Sequence, residues 1–218
     1  MQIVDRVYRV PGVMANSYLA VDDDGLTLID AGVARSETRI LRFLSGLGYA
    51  AGDLKRILIT HADRDHVGGL AALKAASGAA VYASPVEAEA IAAGRLSREF
   101  ALKGVRKALL ALVQRFFTAA PATVDVLVAD GQALPVLGGL QVLATPGHTP
   151  GHVSFFAPAA GVLFCGDSVR VVGRTLSPPR GASVWDEAMA VASLAVPTTA
   201  PACAGGGRSR WCGSCCAR

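Results

Sequence analysis

Ten residues, Thr60-His61-Ala62-Asp63-Arg64-Asp65-His66-Val67-Gly68-Gly69, place two imidazoles and two carboxylates in one short stretch. An apolar run, Arg56 to Ile59, precedes them and reads as a buried strand; Leu70 to Ala76 follows and reads as a helix. The polar cluster therefore falls in a tight loop at the C-terminal edge of a sheet, where open α/β folds gather their ligands. Side chains at alternating loop positions can converge on one point. Gly68 and Gly69 are expected to let the backbone turn sharply into the helix.

The chain has only four histidines, and the other two, His148 and His152, share a second loop of the same character, Thr145-Pro146-Gly147-His148-Thr149-Pro150-Gly151-His152. A third strand end, Val162-Leu163-Phe164-Cys165-Gly166-Asp167, supplies one more carboxylate at a Gly turn. Any one of these histidines, taken singly, reads as a surface or hydrogen-bonded side chain. All four at strand-end loops, joined by a strand-end Asp, read as a metal site, because imidazole and carboxylate are the ligands that zinc and similar cations favour.

These three motifs resemble those of the metallo-β-lactamase-fold hydrolases, in that family's order and at compatible spacing, and the compact glyoxalase-II-like and lactonase-like members are the nearest in character. The resemblance runs from the first strands to Leu194. It implies an α/β fold, an αββα four-layer sandwich of two mixed β-sheets flanked by helices. It implies that His61, Asp63 and His148 hold one metal, that Asp65 and His66 hold a second, and that Asp167 bridges the two. Asp30 and His152 would support these ligands from behind, and Asp65 would orient the attacking water or take its proton. The cofactor would be one or two divalent ions, zinc first, with iron or manganese as the other choices.

The sequence departs from the family pattern twice. Position 63 is Asp where the family has His, and the added negative charge is expected to make bound water less acidic and to tilt preference from zinc towards iron or manganese. The family's further His near the C-terminus has no counterpart in this chain, so the second metal is expected to be weakly held.

Composition bounds the rest. A chain of 218 residues suits one sizeable domain, and 52% apolar against 17% charged residues points to a globular protein. The net charge of +4 owes three arginines to residues 196–218, which leaves the body nearly neutral and gives little basis for nucleic-acid binding. Asp5 and Arg6 interrupt any signal-like apolar segment, and no apolar run approaches membrane-spanning length, so a cytoplasmic protein with a small-molecule substrate and no membrane partner is expected. Four of the five cysteines fall in residues 196–218, leaving Cys165 alone in the body, as in a reducing compartment.

Along the chain, Ile3 to Val10 and Ser17 to Val21 read as strands, with an Asp-Gly turn at Asp22-Asp23-Asp24-Gly25 before the strand Leu26 to Ile29. Asp30, which ends that strand, reads equally well as the cap of the next helix. Ser36 to Tyr49 is an amphipathic helix, with Ile40, Leu41, Leu44 and Leu47 on one face. Ala80 to Ala83 gives a strand, and Pro85 opens a helix. Gly94 to Ala120 carries a basic set including Arg95, Arg98 and Arg106 beside an apolar set including Leu109, Val113 and Phe117. It reads as one or two inserted helices, either walling the site or packed with a solvated basic face. Strands return from Val124 onward, and Val184 to Leu194 reads as a last helix.

Residues 1–195 are thus expected to form the domain. Residues 196–218 lack Leu, Ile, Phe, Lys, His and every acid, and are expected to be an aberrant, disordered tail, as a shifted reading frame in GC-rich DNA would produce. The function expected is metal-dependent hydrolysis of an ester, thioester or lactone. A non-catalytic or impaired metal-binding homologue, and an iron-dependent redox enzyme of the same fold, are the other readings.

Overall fold

The computed structural model describes residues 1–98, 119–172, 175–181 and 184–195. The centre of the inserted segment and the expected tail lie outside the described residues.

The chain begins as an antiparallel meander, β1 (Gln2–Val4), β2 (Val7–Arg9), β3 (Tyr18–Asp22) and β4 (Gly25–Ile29). The Asp-Gly turn pairs Asp22 with Gly25, with Asp23 and Asp24 as its two-residue loop. From β4 the sheet becomes parallel, through β5 (Leu54–Leu58), β6 (Ala80–Ala83) and β7 (Val126–Leu127). Parallel pairing requires crossovers, which α1 (Ser36–Gly46) supplies between β4 and β5. Two helices, α2 (Arg64–Val67) and α3 (Leu70–Ser77), connect β5 to β6, and α4 (Pro85–Ala93) follows β6. The amphipathic helix ends three residues before the expected Tyr49, because Gly48 takes a positive φ of 91° and turns the chain.

A second sheet of β8 (Ala133–Leu134), β9 (Leu140–Ala144), β10 (Val153–Ala157) and β11 (Val162–Phe164) runs antiparallel throughout its described strands. β12 (Arg170–Val172) and β13 (Thr175–Ser177) form a separate hairpin, and α5 (Glu187–Ser193) closes the described chain. Of the two principal sheets, the first is mixed and the second antiparallel.

Alternation along the strands divides the core in two. Leu19, Leu26, Leu28, Ile57 and Val81 face one apolar cluster, which they share with Ile40 and Leu44 of α1 and Leu70 and Leu73 of α3. Tyr18, Ala20, Ile29 and Leu58, on the opposite face, meet Val142, Val153, Phe155 and Phe164 of the second sheet. The first sheet is therefore buried on both faces, which accounts for the adjacent buried apolar residues Leu28-Ile29 in β4 and Ile57-Leu58 in β5. Among the described residues, helix, sheet and sheet are stacked in that order, three of the four layers of the metallo-β-lactamase fold expected from the motifs. No helix of the described residues is long and apolar enough to cross a membrane.

Gly68 has a role other than the sharp turn expected of it. Its φ of −61° and ψ of −35° are helical and open to any residue. What requires glycine is proximity: a Cβ there would lie 2.3 Å from the backbone nitrogen of Ala34 and 2.6 Å from the carbonyl oxygen of Arg64. Backbone cannot yield as a side-chain tip can, so Gly68→Ala should destabilise the protein by about 2 kcal/mol or more. Exposed Gly46, whose Cβ would meet nothing within 4 Å at the end of α1, is the control. Gly46→Ala should be neutral or stabilise by up to about 1 kcal/mol. Urea midpoints of the two variants check both; equal midpoints would contradict the close-approach argument.

Candidate metal centre

The three motifs meet where β4, β5 and β10 come together. Asp30 follows the last residue of β4 with φ 60°, a left-handed conformation that Asp tolerates better than most side chains. Its carboxylate accepts from the Thr60 backbone N–H at 2.9 Å, from the Thr60 hydroxyl at 2.9 Å, and from Nδ1 of His66 at 2.8 Å. The helix-cap alternative for Asp30 is thereby displaced: it spans from β4 to the loop after β5.

These bonds set the tautomers. With its hydroxyl proton given to Asp30, Thr60 Oγ1 accepts from Nδ1 of His61 at 3.0 Å, which leaves the lone pair on Nε2. His66, donating through Nδ1, likewise presents Nε2. Among the described residues, Nε2 of His61 and Nε2 of His66 are both buried without a hydrogen-bond partner. Burying such atoms unpaired is costly, and a bound cation is the natural partner for them.

The remaining groups converge on the same space. Nε2 of His148 lies 3.1 Å from Oδ2 of Asp63 and 3.5 Å from Oδ2 of Asp167. Nε2 of His66 lies 3.6 Å from Oδ1 of Asp167 and 4.0 Å from Oδ2 of Asp65. Two overlapping sets, His61 with Asp63 and His148, and His61 with His66 and Asp167, each bring one donor atom per residue within 4.8 Å of the others. Either could hold a divalent cation. Asp65 borders the sets with a side chain 44% exposed, so that it, like Asp167 and unlike Asp63, reaches into solvent.

His152 is differently placed. Its Nδ1 bonds Thr145 Oγ1 at 2.8 Å, and its Nε2 accepts the Asp167 backbone N–H at 3.1 Å. Both nitrogens are used within the protein, so His152 orients the Asp167 turn. Burial, reinforced by the neighbouring His61 and His148, holds its pKa well below the usual imidazole value and keeps it neutral for that acceptor role.

Electrostatics follow the geometry. Burial disfavours ionised Asp63, yet the neighbouring imidazoles of His148 and His61 and the guanidinium of Arg98 outweigh it and hold the carboxyl below the usual range. Burial likewise opposes charge on His66, but Asp30 and Asp167 prevail and raise its pKa. In His148 burial dominates and lowers it.

Two residues of the site were not legible as such. Glu87, fully buried in the first turn of α4, accepts through Oε2 from the Ala62 N–H at 2.8 Å. Through Oε1 it accepts from the Thr149 hydroxyl at 2.7 Å and the Gly151 N–H at 3.0 Å. It ties the two histidine loops together, and nothing in Pro85-Val86-Glu87 distinguishes it from an ordinary acidic residue at a helix start. Arg98, read as one of a basic set, is 8% exposed and grips Asp63 with both guanidinium nitrogens, at 2.6 and 2.7 Å. The negative charge that Asp63 adds to the site therefore has a buried cation beside it.

On the far side, α5 presses on the His148 loop. Gly147 has φ 141°, and a Cβ there would lie 2.4 Å from the backbone of Ala190. The backbone N–H groups of Trp185 and Asp186 bond the Gly147 carbonyl at 3.0 and 2.9 Å.

Comparison with known proteins agrees with this architecture. A family model described as the metallo-beta-lactamase superfamily matches residues 10–205. Hydroxyacylglutathione hydrolase of Pseudomonas aeruginosa is 33% identical over 122 residues, 55% of this chain and 35% of that protein. The probable metallo-hydrolase YflN of Bacillus subtilis is 30% identical over 165 residues, 73% of this chain and 62% of its own length. Among solved structures, a Cronobacter sakazakii metallo-β-lactamase with a HARLDQ motif superposes with TM-score 0.62 at 34% identity, covering 75% of this chain and 62% of that one. The matched region thus spans about a third of the hydroxyacylglutathione hydrolase and under two thirds of the other two.

Glu87→Ala should remove the acceptor from three donors at once and destabilise the protein by roughly 2–5 kcal/mol. It should also loosen both histidine loops, so that zinc uptake falls with stability. Denaturant unfolding and equilibrium dialysis against zinc check this; an unchanged midpoint would mean Glu87 does not join the loops.

Proposed function

The chain belongs to the metallo-β-lactamase superfamily, and on that premise we propose that it is a metal-dependent hydrolase of a small ester, thioester or lactone, thioesters first. The observation that carries the reading is the convergence of the unpartnered Nε2 atoms of His61 and His66 with His148, Asp63 and Asp167. The preference for thioesters rests on the relatives named hydroxyacylglutathione hydrolase.

In this reading His61, Asp63 and His148 hold the first ion, Asp65 and His66 belong to a second, and Asp167 lies between them. Such an ion, when bound, lowers the pKa of a coordinated water towards neutrality and polarises the substrate carbonyl. Asp65, the exposed carboxylate at the rim, takes the proton from the attacking water and returns it to the leaving group. Asp30 holds the ring of His66, and Thr60 that of His61, in the tautomers that present Nε2. His152 fixes the Asp167 turn through the backbone N–H.

The two positions are unequal. With both nitrogens of His152 engaged, His66 is the imidazole left to the second ion once His61 serves the first. One ion should therefore be held tightly and a second weakly. This bears on the reading as an impaired homologue, which would hold one ion or none and turn over nothing.

Elemental analysis after dialysis should find close to one zinc per chain, falling towards zero in His148→Ala. Hydrolysis of hydroxyacyl-glutathione thioesters, set beside simple esters and lactones, should stop with a chelator and return with zinc. Asp65→Asn should lower the rate by about 100-fold or more while retaining the tightly held zinc. Metal-free protein that hydrolyses at full rate would overturn the proposal, and zinc-loaded protein inert towards all three classes would favour the impaired homologue.

A further inference from the structure

A buried arginine is an unusual neighbour for a cation site. Arg98, with a side chain only 4% exposed, reaches Asp63 from just beyond α4 and occupies each carboxylate oxygen with a separate nitrogen. Oδ2, one of those two oxygens, also lies 3.1 Å from Nε2 of His148 and 3.7 Å from Nε2 of His61. The donor atom that Asp63 directs at the two imidazoles is thus already shared with a fixed positive charge. Oxygen has lone pairs enough to accept from Arg98 and bind an ion at once, and Oδ2 is the oxygen directed at the imidazoles, so Asp63 would offer an ion that oxygen with part of its charge already engaged by the fork.

We propose that Arg98 is the built-in counter-cation of the His61, Asp63 and His148 set: it keeps Asp63 in place whether or not an ion is bound, and it weakens and restricts the binding of a divalent cation there. The inference rests on the reading of that set as a metal site and deepens it. Three physical consequences follow. Removing the guanidinium leaves a buried carboxylate without its fixed positive charge, faced by the imidazoles of His148 and His61, so the protein without metal loses stability. A bound ion then relieves that charge, so metal contributes more to stability than in the unaltered chain. The site also loses a repelling positive charge a few ångströms away and gains a free carboxylate oxygen, so the ion binds more tightly.

Arg98→Met, which keeps an unbranched apolar stem and removes the charge, tests this beside Arg98→Lys, which keeps charge and loses the fork. Zinc affinity is measured by competition with a chromophoric chelator, and melting temperature with and without zinc. Arg98→Met should bind zinc about tenfold or more tighter than wild type, melt lower when metal-free, and gain more from zinc. Arg98→Lys should bind zinc within a few-fold of wild type. In the metal-free state, Asp63→Ala combined with Arg98→Met should melt above Arg98→Met alone, since both buried charges leave together.

Equal or weaker zinc binding in Arg98→Met, with normal wild-type uptake that His148→Ala abolishes, would overturn the inference and leave the metal-site reading standing. If Arg98→Met does not fold, Arg98→Lys decides: loss of zinc binding there would overturn the inference, and retained affinity would uphold it. Wild-type zinc uptake unaffected by His148→Ala would overturn the metal-site reading, and the inference with it.

Discussion

The carboxylate of Asp30 is the point at which fold and site become one structure. It ends a central strand, accepts the first backbone N–H of the loop after the neighbouring parallel strand, and holds the ring of His66. Parallel pairing of β4 with β5 brings those chain segments side by side. A polar loop at the end of two strands buried on both faces must find its hydrogen bonds internally, because little water reaches it. Asp30 supplies several of them, and in doing so turns imidazole nitrogens towards one space.

Around that junction the site is held by acids with different tasks. Asp30 orients from the strand side and Glu87 from the helix side, where it joins loops 62 and 149–151 through three accepted bonds. Asp63 and Asp167 point at the histidines. Such a concentration of carboxylates in a buried region is stable only with compensating cations or donors. Backbone N–H groups compensate Glu87, His66 compensates Asp30, and Arg98 compensates Asp63. Asp167, with a side chain 45% exposed, keeps contact with water.

Much of this was legible in the chain itself, for physical reasons. Strand-end loops rich in Gly and Pro announce themselves locally, and four histidines confined to such loops point to one centre before any contact is known. Short apolar runs and 3.6-residue periodicity located β4, β5 and α1, because burial on two faces leaves the first pattern and burial on one stripe the second. The stretch from Thr60 to Gly69 reads as loop throughout, whereas Arg64–Val67 forms a turn of helix, followed by Gly68 packed against the backbone of residues 33 and 34. Its signal was masked by the polar residues that the site requires.

The sequence by itself determined the kinds of atoms available, their order, and the loops that carry them, since motif chemistry is local. The tertiary structure alone decided which groups became partners across long separations. Arg98 stands 35 residues from Asp63, and Glu87 lies 62 residues from Thr149. Neither pairing leaves a local trace, because an arginine that ends buried on a carboxylate and one that ends in solvent are written with the same letter. Only packing, which excludes water and so makes the charges find each other, distinguishes them.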